Sequence, residues 1–232
     1  MTTNAAPKKR LTGPKAERTR TGIKAAALAL LREKPVKEIA LDEICNRAAI
    51  TQGALYFHFR NKDAAIEETL SDVVDRFEDR LLQIDAGDDL YLYLYRLVRE
   101  FMPGRAWRQL FPSLYVVRNS SEPLNRQWSD LRRKLVDRIC KISKTAQIGK
   151  GKPTAHTRAT VEFLLGGLEA AWAHVAASRT LGATPPQKET TAVATAFYRA
   201  LLGADPSKGS VAAAKENKMK AVKFIIYPEH DG

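Results

Sequence analysis

The stretch Ile39–Ile66, IALDEICNRAAITQGALYFHFRNKDAAI, decides the fold. Within it Leu41, Ile44, Cys45 and Ala48 recur at the spacing that lines one face of a single short helix. A tight connection follows, and Thr51 opens a second short helix that ends near Phe59. With about 100° of rotation per residue, Leu55 and Phe59 share the inner side with Ile44 and Ile50, whereas Gly53, Tyr56 and Phe57 point outward. Two adjacent outward aromatics beside a residue with no side chain break the burial pattern of a helix that only has to fold, and a partner explains them. Two short helices joined by a turn, the second polar and aromatic outside, can lay that second helix in the major groove of DNA.

Reading outward, Ile23, Ala26, Ala27, Leu30 and Leu31 form one stripe of a preceding helix that starts at Pro14 and stops at Lys34-Pro35. On the other side Asn61 caps a longer helix from Lys62, with Asp63 in its first turn. Its stripe is Ile66, Leu70, Val73, Val74, Phe77, Leu81 and Leu82, and Gly87 is expected to end it. Further helices are expected at 89–102, 105–118, 123–147, 154–179 and 186–203, with no strand before the tail. The fold class is therefore all-α. It comprises a flexible basic arm (1–13, with Lys8, Lys9 and Arg10), a three-helix helix-turn-helix domain (14–61), a larger helical bundle (62–203) and a tail (204–232). The tail opens rich in Pro, Ser, Gly and Lys and ends in Val222, Phe224, Ile225, Ile226 and Tyr227; it reads as a frayed terminus in preference to an extended docking segment.

Charge agrees with a polyanion-binding head. Of the formal charge of +12, residues 1–60 hold +7, from twelve Lys/Arg against five Asp/Glu, while 62–89 reverse sign with three basic and ten acidic residues. Cys45 and Cys140 lie far apart in helical stretches and form no disulfide framework, which favours a reducing setting. No apolar run approaches a membrane span and the basic N-terminus lacks the core of a signal peptide, so a cytoplasmic location is expected.

With Ile44, Ala48, Gly53, Ala54, Leu55, Tyr56, His58, Phe59 and Lys62 in unbroken register, the stretch resembles the DNA-binding domain of TetR-type transcriptional regulators. The motif similarity covers about residues 16–66; beyond it only length and helical pattern agree. The resemblance implies that Thr51, Tyr56, His58 and Lys62 contact phosphates, that Gln52 pairs with a base edge, and that Ala54 and Phe57 touch thymine methyl groups. Gly53 would allow close approach. Plainer roles stand beside these: Thr51 also caps the helix, Lys62 is alternatively a solvated charge, Phe57 alternatively tucks into the domain, and His58 is alternatively structural. The sequence departs from the family pattern at two places. Ala40 stands where Ser or Thr commonly caps, with Glu43 a partial substitute, and Ala49 stands where glycine is usual.

The resemblance further implies a dimer on a palindromic operator in double-stranded DNA and a C-terminal pocket whose small-molecule effector, of unknown identity, moves the fourth helix. Residues 158–178 and 190–202 are too apolar for one-faced surface helices, so these last two helices are expected to form a homodimer interface, an internal core pair being the alternative. Pocket candidates are Phe101, Trp107, Phe111, Tyr115, Phe163 and Trp172. The stretch 90–160, with fifteen basic and four acidic residues, hints at an anionic effector or else reflects solvated helix faces. An enzyme finds no support: His58, His156, His174 and His230 are scattered, and no zinc-helix motif, nucleophile elbow or phosphate-cradling loop occurs. No cofactor, metal or membrane partner is expected.

Overall fold

Lys34-Pro35 stops the first helix, as the missing amide of proline requires. The structure, a computed structural model, describes residues 13–85, 87–101, 110–146, 157–178, 187–216 and 227. The basic arm through residue 12 and the apolar run Val222–Ile226 lie outside them. Among the described residues there are ten α-helices, one short 3-10 turn and no strand.

Two compact units are formed, residues 1–73 with 225–232 and residues 74–224. In the first, α1 (Pro14–Glu33) packs on α2 (Leu41–Arg47) and α3 (Gln52–His58), and the first half of α4 (Lys62–Leu82) completes the unit. Its core is Ile23, Ala27, Leu31, Ile39, Ile44, Leu55, Ile66 and Leu70, all essentially inaccessible, so the stripes read from sequence are the buried ones. Asn61 caps α4 as expected, its Oδ1 accepting from Ala64 N–H at 2.8 Å.

In the second unit the end of α4 is followed by α5 (Leu90–Phe101), α6 (Leu110–Arg118), α7 (Glu122–Ala146), α8 (Thr157–Ser178), α9 (Gln187–Leu202) and α10 (Lys208–Glu216). α5 packs on α9 and α10, and α8 on α6 and α7. The centre is aromatic: Phe77 lies 5.4 Å from Phe101, 5.1 Å from Phe111 edge-on, and 6.2 Å from Trp128 in a stack. Buried Glu169 on α8 accepts from both Arg118 (3.1 Å) and Arg132 (2.9 Å), so each partner of this charge cluster is compensated.

Two expectations need correction. α4 ends at Leu82, not at Gly87: Arg138 donates to the Leu82 and Ile84 carbonyls, satisfying the helix end, and Ile84 turns inward. The tail contains a helix. Ser207 Oγ accepts from Ser210 N–H at 3.0 Å, and α10 buries Ala214, so a stretch that reads as loop by its Pro, Ser and Gly is a capped helix with an alanine face. The helix expected at 105–118 is seen from Leu110 onward, 105–109 lying outside the described residues.

Candidate nucleic-acid interface

The turn between α2 and α3 aims the second helix. α2 begins without a side-chain acceptor, since Ala40 has none, but Glu43 Oε2 accepts from Ala40 N–H at 2.8 Å and also pairs with Lys34. These hydrogen bonds hold the Glu43 carboxyl below its ordinary pKa. At the other end Ile50 N–H reaches Cys45 O (3.0 Å) and Ala49 N–H reaches Asn46 O (3.2 Å), the paired closure that demands a left-handed residue. Ala49 supplies it at φ 52°, in the region that favours glycine. The departure from glycine noted in the sequence therefore falls on a left-handed residue.

Thr51 Oγ1 then accepts from Ala54 N–H at 3.2 Å and starts α3. Leu55 is fully buried and Phe59 nearly so, while Tyr56 is 50% and Phe57 52% exposed. Thr51, Gln52 and Gly53 are exposed, Ala54 and His58 half-buried. A Cβ added at Gly53 would meet nothing closer than Thr51 Oγ1 at 3.8 Å, so the fold itself does not require glycine here. Gln52 donates to Asp42 on α2, and Lys62 Nζ donates to Ile39 O at 2.8 Å. In the chain alone Lys62 thus ties α4 to the segment before α2. His58 has its pKa lowered by burial first and then by the Arg20 guanidinium, against an opposing contribution from Glu17.

Sequence reasoning missed the support beneath α3. Arg20 on α1 lies 4.3 Å over the Phe59 ring, donates to His58 O at 2.6 Å and pairs with Glu68. Buried Lys24 pairs with Asp72 at 2.7 Å. A signal existed: Arg20 and Lys24 are four apart on one helix, and Glu68 and Asp72 are four apart on another.

The four pocket candidates whose side chains are described are not gathered in one place. Phe101 and Phe111 are buried against Phe77, Tyr115 is half-buried with the Arg118 guanidinium 4.9 Å from its ring, and Phe163 is 80% exposed. Trp107 and the Trp172 side chain lie outside the described residues, as do His156, the His174 side chain and His230. Among the described residues no group of three or more His, Cys, Asp or Glu is arranged to hold a metal, and no helix is long and apolar enough to cross a membrane.

Among the described residues, a capped second helix that faces outward after a tight turn is the arrangement of a helix-turn-helix. Residues 23–69 match the profile of bacterial regulatory proteins of the tetR family. Over those residues the chain is similar to that family, and the match covers about a fifth of its length. It is 33% identical over 51 residues to an uncharacterized HTH-type transcriptional regulator, YxbF, of Bacillus subtilis strain 168, a match spanning 22% of this chain but 13% of that relative. Similar solved structures extend the likeness of fold over most of the chain. A transcriptional regulator from Rhodococcus sp. Rha1 has a TM-score of 0.64 at 22% identity, covering 81% of this chain and 98% of that one. A TetR transcription regulator from Haloarcula marismortui gives 0.63 at 15% (80% and 99%), and GusR of Salmonella enterica 0.59 at 19% (84% and 100%).

Proposed function

We propose that this chain is a dimeric transcriptional repressor that grips a palindromic operator through α3 and releases it when a small molecule binds the helices after α4. The observation that carries the DNA contact is the exposure of Tyr56 and Phe57 beside Gly53, on a helix whose opposite side is buried. In this reading Gln52 and Ala54 face base edges, Phe57 faces thymine methyls, and Thr51, Tyr56, His58 and Lys62 hold phosphates. Lys62 has three donor hydrogens, so its bond to Ile39 O leaves others for a phosphate. A second copy covers α8 and α9, and exposed Phe163 on α8 supports an apolar contact there. The effector is an unidentified small molecule, and a cytoplasmic setting follows from such a role.

The test is selection of duplexes from a random pool by the full-length protein, followed by titration of the selected duplex and a scrambled one. The selected duplex should contain an inverted repeat and bind at least about a thousandfold tighter at physiological salt. Tyr56→Phe should weaken both duplexes, and Lys62→Ala should flatten the salt slope by about one unit. Equal affinity for the two duplexes would end the proposal.

A further inference from the structure

Tyr227, far along the chain from α3, is part of the same compact unit as the DNA-contacting helices. Its hydroxyl donates to Asp72 Oδ2 at 2.6 Å, and its ring lies 5.6 Å from Lys24 Nζ. The same Asp72 oxygen accepts from Lys24 at 2.7 Å, and Lys24 lies 3.5 Å from Glu68 Oε1. Glu68 accepts from Arg20 Nε at 2.9 Å, and Arg20 donates to the carbonyl of His58, the last residue of α3. Tyr227, Asp72, Lys24, Glu68, Arg20 and the His58 carbonyl therefore form one unbroken run of hydrogen-bonded and paired groups. All are partly buried, where such contacts are stronger than in open water.

We propose that Tyr227 is a positioning residue for the recognition helix: its hydroxyl fixes Asp72 and Lys24 between α4 and α1, and through Glu68 fixes the arginine that holds the C-terminal end of α3. Without the hydroxyl, Asp72 loses a partner and Lys24 gains freedom to shift toward Glu68, which loosens the Arg20 contact. Burial and the adjacent carboxylates push the phenol far above its ordinary pKa, so it remains a donor across the physiological range. The affinity readout rests on α3 contacting DNA; the exchange readout does not.

The experiment uses full-length Tyr227→Phe, which keeps the ring over Lys24, alone and combined with Arg20→Lys. Amide exchange is followed at Phe59, whose N–H bonds to Leu55 O at the end of α3, and affinity is titrated on the selected duplex. Tyr227→Phe should remain folded, speed exchange at Phe59 severalfold and weaken the selected duplex by roughly threefold to tenfold. In the Arg20→Lys background the tyrosine substitution should have a clearly smaller effect, because the run is already broken. Unchanged exchange at Phe59 in Tyr227→Phe, or effects that simply add in the double variant, would overturn the proposal. A wild-type protein that selects no duplex would instead remove the repressor reading, with the exchange comparison still deciding the role of Tyr227.

Discussion

Gly53 makes its helix less stable and, in the proposed reading, lets the helix approach DNA more closely. Inside a helix glycine is less favourable than alanine by up to about 1 kcal/mol, and a Cβ at this position has room. Gly53→Ala should therefore raise stability in urea by about 0.5 to 1 kcal/mol and, if α3 lies in the groove as proposed, weaken binding to the selected duplex. A loss of stability would mean that the backbone there has a requirement of its own. His58 gives a second prediction at this scale. Its folded pKa lies below the ordinary 6.5, so the unfolded chain takes up a proton more readily. Its contribution to stability is present above about pH 6.5 and is lost as pH falls through that value toward the depressed one. Urea melts from pH 7.5 to 5.5 should show a shallower decline in His58→Gln. In the proposed contact a phosphate beside the imidazole would act in the opposite direction, so DNA affinity should rise with acidification over the same window in wild type and less so in the variant.

At the scale of elements, α1 to α4 were legible because each carries its apolar stripe and a local stop or cap: Pro35 after α1, Thr51 before α3 and Asn61 before α4. The outward pair on α3 was equally readable, since helical rotation alone separates Tyr56 and Phe57 from Leu55 and Phe59. What was hidden depends on contacts distant in sequence. Arg138 closes the end of α4 from 54 and 56 positions away, and no local pattern announces it. α10 was masked by its own composition, its capping serine sitting among residues that also make loops. Of the aromatics read as pocket candidates, Phe101 and Phe111 come from two helices and meet at Phe77 in the core. Phe77, 2% exposed, joins α4, α5, α6 and α7, so Phe77→Ala should cost about 3 to 5 kcal/mol in denaturant melts. A cost below about 1 kcal/mol would show that the cluster is not the centre of this unit.

For the molecule as a whole, charge is segregated along the chain and not between the two units. The basic excess of residues 1–60 lies in the unit that holds α3, and the acidic stretch 62–89 largely forms α4, whose Glu68 and Asp72 pair with Arg20 and Lys24 of α1. Binding of any duplex should therefore fall steeply with salt, while sequence preference should depend on a few side chains of α3. Gln52 is the side chain best able to read a base edge, as its amide offers a donor and an acceptor together. The most direct measurement compares the duplexes selected from a random pool by wild type and by Gln52→Ala. Loss of preference at one position in each half of the repeat, with the flanking positions unchanged, is the predicted result. Identical preferences from both proteins, together with unchanged affinity, would contradict a role for α3 in reading DNA.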